Sequence, residues 1–362
     1  MHLLHPTLRV GLAALAGTLL LCLVILIDAG GDPLSFAFVG TRFSEGDPDG
    51  TVGYDGQFFY FIARDGADAV PYIDGPAFRY QRILYPVISR ALALGQADAV
   101  PWTLILVNVL AHSGGAALVA YLLAARGVSP WYALVYVVWI GGLYGLRFNL
   151  SEPLCFALGL AALVAYRHDR LRWTALLLIL ATLTKELGLI FAGALALHAF
   201  SKRRWGWSVL LAGAPLLAFL LWWGFLALWL PDRPTQYPAA RFAWLPFGGL
   251  LHEDDPLEFV LLVIWLVIPA LLLLIAALRQ MWRRRVVPLE AALVITSVGF
   301  LAIMPGVSWD DPVAAYRVAL AIVPAGLLFA ARFHPRALRG LALLWGSTFV
   351  LFLLMLAAIA AR

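Results

Sequence analysis

Residues 10–27 form an unbroken apolar run behind a short basic lead, His2 to Arg9, and the run is long enough to cross a bilayer. A polar stretch, residues 28–100, follows it. From there apolar runs recur at short intervals: 101–125, 130–148, 152–166, 173–184, 187–200, 205–230, 257–281, 287–304, 312–331 and 337–361. The pattern predicts an all-α polytopic membrane protein of about 11 transmembrane helices, the short pair 173–184 and 187–200 counted separately. No small-x-small cleavage pattern ends the first run, so it is expected to stay as a helix. Residues 1–362 read as a single transmembrane domain in which 28–100 is the only large non-membrane segment.

Within that segment, Gly56 to Arg64 suits a short helix with Gln57, Tyr60 and Arg64 on one side and Phe58, Phe59 and Ile62 on another. Such a helix is expected to lie along the membrane surface. A second amphipathic stretch runs from Arg82 to Leu94, with Pro86 expected to kink or restart it.

Composition agrees with the runs. At 63% hydrophobic and 13% charged residues the chain lies outside the range of soluble domains. The net charge of +5 is no nucleic-acid footprint, because the basic residues fall in short turns between apolar runs. Only two of the 26 basic residues are lysines, Lys185 and Lys202, a bias that points to a GC-rich bacterial coding sequence. Cys22 and Cys155 lie inside apolar runs and the seven histidines are scattered, so no disulfide framework, metal site or cofactor is expected.

Orientation follows from the positive-inside rule. With a cytoplasmic N-terminus, the inner turns carry Arg126; Arg167, Arg170 and Arg172; Lys202, Arg203 and Arg204; Arg279, Arg283, Arg284 and Arg285; and Arg332, Arg336 and Arg339. The alternation works only if the chain breaks near Thr184-Lys185-Glu186 and doubles back. Of the 21 acids, 19 then face outward, ten of them in 28–100. The outer face gathers 28–100, the stretch Arg147 to Pro153, Thr184-Lys185-Glu186, Asp232 to Glu258, and Ser308-Trp309-Asp310-Asp311 with nearby Arg317. A charge within a membrane helix costs roughly 2.5–3.5 kcal/mol on insertion scales unless it is paired or wet. Arg147, Glu152, Lys185 and Glu186 therefore point to a water-filled cavity.

The segment Gly53-Tyr54-Asp55-Gly56-Gln57-Phe58-Phe59-Tyr60, with Phe78-Arg79-Tyr80-Gln81-Arg82-Ile83-Leu84-Tyr85-Pro86, resembles a motif of bacterial multi-span proteins in the GT-C glycosyltransferase class. Asn149-Leu150-Ser151-Glu152-Pro153-Leu154 and Ala181-Thr182-Leu183-Thr184-Lys185-Glu186 are similar to Ser-Glu-Pro and Leu-Thr-Arg/Lys-Glu elements of their middle helices. The likeness covers about residues 10–200; beyond that only the hydropathy is similar. It implies a first outer loop carrying a catalytic Asp or Glu, and a sugar donor carried on a polyprenyl phosphate. The chain departs from the commonest pattern, since no Asp-Asp or Glu-x-Asp pair directly follows the first helix. Asp28 and Asp32 are nearest to it; Asp55 is the preferred base, with Asp28 and Asp32 as alternatives.

Sugar transfer from a phospholipid needs a base for the acceptor hydroxyl and cations for the departing phosphate. Asp55 is expected to be that base, with Gly53 and Gly56 letting substrate approach the backbone; the plainer reading is an Asp-Gly turn. Arg79, Arg82 and Lys185 are expected on phosphate, although the arginines also suit anionic headgroups and Lys185 an ion pair with Glu186 or Glu152. Tyr54, Gln57, Tyr60, Glu152, Glu186, Asp310 and Asp311 are expected to shape a sugar pocket. Glu152, Asp310 and Asp311 also sit where an acid favours a helix start. Trp222, Trp223 and Trp229 read as an interfacial belt.

The expected function is a glycosyltransferase, inverting, of the bacterial plasma membrane, with its site on the outer face. Its partners would be a polyprenyl-phosphate sugar donor, a glycan, lipid or protein acceptor, and membrane lipids. The rivals are a transporter or flippase for a lipid-linked sugar, which should show inverted repeats that the chain lacks, and a non-catalytic subunit of an envelope complex.

Overall fold

A computed structural model describes residues 4–238 and 241–360, and every regular element among them is helical. Six helices are long and apolar enough to cross a membrane: Pro6–Asp28, Ala97–Ala124, Trp205–Trp229, Pro256–Arg284, Pro312–Phe333 and Pro335–Ala357. Three more, Leu171–Thr184, Gly188–Ser201 and Leu289–Ala302, are apolar but shorter. The protein is thus a helical, multi-pass membrane protein.

Burial sorts these helices into layers. Ala97–Ala124 and Pro312–Phe333 are mostly covered by protein, whereas Trp205–Trp229 and Pro335–Ala357 are mostly bare. The bare helices are apolar nearly all round, with Leu217, Leu221 and Leu228 exposed, as lipid contact requires. Leu4–Asp28 packs its Gly11 and Ala14 side on the central Val100–Ala124 helix, and Gly11 has no room for more than a hydrogen beside Ala117.

Two of the expected runs are broken, and the breaks lock together. The apolar run 130–148 divides into Leu134–Val138 and Ile140–Arg147 at Trp139, whose backbone is extended. The buried Trp139 indole donates to the Tyr316 carbonyl at 3.0 Å, and Gly141 lets the two backbones close on Tyr316 and Arg317. Opposite it, Pro312–Val318 passes into Ile322–Phe333 through a 3-10 turn at Ala319–Ala321. The contact that stops both helices therefore also fixes Arg317.

The segment 28–100 is a packed cap on one end of the bundle. The expected surface helix forms as Gly56–Asp65, but both its faces are covered: Phe58, Phe61 and Ile62 pack with Ile73, Tyr80, Leu226 and Leu230, while Phe59 joins the main core. The second stretch forms as Leu84–Leu92, with Pro86 inside the first turn, where its missing N–H has no partner to lose. The chain breaks after Thr184 as expected, with Lys185 extended between Leu171–Thr184 and Gly188–Ser201.

Candidate functional site

Asp55 sits at the start of Gly56–Asp65, a position where aspartate normally caps the helix, yet its side chain makes no capping bond. Its carboxylate turns to two guanidiniums instead. Arg79 Nη1 donates to Oδ1 at 2.8 Å and Arg317 Nη2 to Oδ2 at 2.7 Å. Asp311, at the start of Pro312–Val318, likewise leaves its helix uncapped and accepts from the Tyr54 hydroxyl at 2.8 Å. Asp32 and Asp255 do the ordinary thing and cap theirs, Asp32 through Leu34 N and Asp255 through Leu257 N and Glu258 N. The two acids withheld from capping are the two that line one cavity.

From Asp55 the ion pairs run on in both directions. Arg317 Nη1 reaches Glu152 Oε1 at 3.3 Å, and Lys185 Nζ donates to the same oxygen at 2.6 Å. Arg79 closes a fork on Asp74 at 2.8 and 2.9 Å and donates to the Tyr237 hydroxyl at 2.8 Å. Arg82 and Glu186 form a separate bidentate pair at 2.7 and 3.1 Å. Rings brace the cations: Phe58 lies under Arg79 and Phe78 under Arg82, each 4.4 Å from the guanidinium carbon, and Tyr237 stacks on Phe78. Glu152 is fully buried and Lys185 nearly so. A pair buried this deeply persists only because each charge is answered.

Burial alone would raise the Asp55 carboxyl, but Arg79 and Arg317 overcome it and hold the group well below the usual carboxylate range. Burial pushes the Tyr237 hydroxyl up to about 12.

The cavity between these groups is about 730 Å³, within the size range of ligand pockets. Asp55, Arg79, Arg82, Lys185, Glu186, Asp311 and Arg317 form its charged wall; Phe219, Trp223, Phe242, Phe300 and Met304 form an apolar one. Asp55 and Glu152 share one guanidinium, so the dispersed polar stretches do meet.

Other expected residues have different jobs. Gln57 is buried and holds the loop before it, donating to the Val52 carbonyl at 2.8 Å and accepting from Gly40 N at 3.1 Å. Tyr60 faces Arg64, which pairs with Asp65. Asp310 is exposed, one residue from the acid that faces the cavity. Asp28 and Asp32 are not among the lining residues. Gly53 and Gly56 admit the Phe38 and Phe148 carbonyls, so their lack of a side chain serves backbone packing. Of the tryptophans read as a belt, Trp222 donates to the Tyr80 carbonyl at 2.9 Å, Trp223 lines the cavity, and Trp229 meets Tyr80 edge-on. Asp74 and Tyr237 were not expected at the site, and Arg317, expected on the outer face near Asp311, had no role assigned there. Among the described residues, no group of three or more His, Cys, Asp or Glu side chains is arranged to hold a metal ion.

No protein-family model matches the chain, and it matches no curated protein and no solved structure.

Proposed function

We propose that the protein is a membrane glycosyltransferase of the GT-C type, crossing the bacterial plasma membrane about 11 times once the broken and shorter helices are counted, with this cavity on the outer face. It moves a sugar, with inversion, from a polyprenyl-phosphate carrier to a glycan, lipid or protein acceptor. The observation that carries the reading is the joining of a charged wall and an aromatic wall in one cavity of about 730 Å³. An amphiphile with a phosphate head and a hydrocarbon tail fits both at once. Four cations, Arg79, Arg82, Lys185 and Arg317, are matched by Asp55, Asp74, Glu152 and Glu186. So balanced a site suits a singly charged sugar phosphodiester better than a highly charged nucleotide sugar.

A carboxylate gripped by two guanidiniums is a weak base. When the donor phosphate enters, it competes for Arg79 and Arg317, and Asp55 regains basicity as they let go. Asp55 then takes the acceptor's hydroxyl proton, the acceptor oxygen attacks the anomeric carbon, and the bond to the phosphate oxygen breaks. The arginines and Lys185 stabilise the charge left on the phosphate. The base is thus released only when there is a sugar to transfer.

The same grip favours one rival, a transporter that binds a lipid-linked sugar and leaves it intact, since Asp55 would then never need freeing. Asp55→Asn in lipid nanodiscs, assayed with radiolabelled polyprenyl-phosphate hexoses and pentoses, separates the two. The transferase reading expects turnover to fall by about 10²–10⁴-fold, the usual contribution of a general base, while donor still binds. Transfer at the wild-type rate would remove Asp55 as the base, and wild-type protein that binds donor without ever transferring sugar would leave the transporter.

A further inference from the structure

A second cavity, of about 680 Å³, opens at the other end of the bundle. The helix Glu152–Arg167 connects the two, with Glu152 in the ion-pair chain and Arg167 lining the second cavity. At about 1.5 Å per residue they stand roughly 22 Å apart. Arg126, Arg167, Lys202 and Arg332 reach it from the C-terminal ends of four helices, and Arg204 from the start of a fifth, Trp205–Trp229.

Arginines that only orient a chain need to be on the correct side, and any scatter over the turns would do. Here they converge on a concave site and are partly built into it. Glu290, only 3% exposed, accepts from Arg126 Nε at 3.0 Å and from Arg332 Nη1 at 2.7 Å. That fixes two cations in the wall. Asp169 holds Arg204 at 3.0 Å. Arg167 and Lys202, both exposed and on separate helix ends, enter no ion pair among the described residues. Four helix C-termini bring partial negative charge, which two carboxylates add to, and five full cations still leave the site positive. Its only aliphatic lining is Ala125, Leu289 and Ala331, without the aromatic wall of the first cavity.

We infer that this cavity is a binding site for a phosphate-bearing anion, with Arg167 as a two-pronged donor and Lys202 as a point charge opposite it. The ligand is a phosphate group, supplied by a lipid headgroup or free in solution. This inference does not depend on the transferase reading, because it uses none of the same residues.

The test compares wild-type protein with Arg167→Gln/Lys202→Gln. In the lipid arm, protein in nanodiscs of phosphatidylcholine with phosphatidylglycerol is released into native mass spectrometry, and retained lipid is counted. In the soluble arm, detergent-solubilised protein is heated with inorganic phosphate or pyrophosphate. A headgroup site gives an enrichment of phosphatidylglycerol that falls about tenfold in the double variant, one decade of affinity. A soluble ligand gives a phosphate-dependent rise in Tm that the double variant lacks. The control, Arg279→Gln/Arg283→Gln, removes the same charge from exposed arginines outside the cavity and should leave both signals intact. Equal loss in the control reduces the effect to general surface charge and overturns the site. So does a wild-type protein that responds to neither ligand, a result that needs no variant to fold.

Discussion

At one end of the bundle three cations and three carboxylates are interlocked over a cavity, beside a separate Arg82–Glu186 pair, with Glu152 and Lys185 almost wholly out of solvent. At the other end five cations ring a second cavity and only Glu290 is buried with them. Both ends are rich in arginine, yet the first has its charges neutralised before any ligand arrives and the second only in part. The difference separates two uses of charge in a membrane protein. An interlocked network stores binding groups in a form the interior tolerates and gives them up only to a ligand that replaces their partners. A ring with two cations left over, Arg167 and Lys202, is open to an anion of the right size.

The largest expected effect sets the two ends directly against each other. Lys185→Met strands Glu152, leaving the fully buried carboxylate with Arg317 alone at 3.3 Å. Breaking a buried pair in this way should cost about 3–5 kcal/mol, read from denaturation of the protein in mixed micelles. Arg167→Gln/Lys202→Gln, at the open end, should stay within about 0.5 kcal/mol of wild type in the same titration, as substitutions of unpaired surface groups do. Equal costs at both ends would erase the distinction. Adding Glu152→Gln to Lys185→Met should restore part of the loss, because the stranded charge is then gone.

A pH series sharpens the comparison at the interlocked end. An unfolded Asp55 titrates near 3.8, and its folded value lies well below that because Arg79 and Arg317 outweigh its burial. The folded carboxylate is therefore stabilising at every pH above 3.8, and the stabilisation is lost only as pH falls from there through the folded value. The difference in Tm between wild type and Asp55→Asn should be flat from about pH 5 to 8. A difference that changes across that window would mean that the folded Asp55 titrates above the ordinary carboxylate range, so that burial and not the two guanidiniums decides its charge. Turnover should behave otherwise, with an acid limb near the ordinary carboxylate value of about 4 once donor phosphate has loosened the grip.

Much of this was legible in the chain. Lys185 and Glu152 stand out because a charge inside an apolar run must be answered, and the break near Thr184 follows from the alternation of the basic turns. Arg317 carries the same signal, alone in the run 312–331, and deserved the weight given to Lys185. What sequence could not supply is the direction of a side chain at a helix start. Asp32, Asp55, Asp255 and Asp311 all occupy capping positions, and only tertiary neighbours decide that two cap and two face a cavity. Asp310 and Asp311 are neighbours in sequence, yet Asp310 is exposed and Asp311 lines the cavity. Gln57 and Tyr60 share a helical face with Arg64, but periodicity says only that a face exists and not what covers it. The break at Trp139 has no local cause, since the Tyr316 carbonyl it binds lies 177 residues away. Asp74 and Tyr237 come from irregular segments that carry no periodic signal at all.

The smallest effect worth measuring lies at the rim of the interlocked end. Tyr237 donates its hydroxyl to Asp74 at 2.8 Å, accepts from Arg79, and stacks its ring on Phe78. Tyr237→Phe keeps the stack, and Arg79 keeps both its fork on Asp74 and its bond to Asp55. The loss should be that of one hydrogen-bonded hydroxyl, about 0.5–1.5 kcal/mol, with donor affinity little changed. Tyr237→Ala removes the stack as well and should add about 0.5–1.5 kcal/mol. If instead Tyr237→Phe matched the cost of Lys185→Met, the rim and the buried pair would be one cooperative unit. The division between a tolerant edge and an intolerant centre would then have to be redrawn along the path from Arg79 through Asp55 and Arg317 to Glu152.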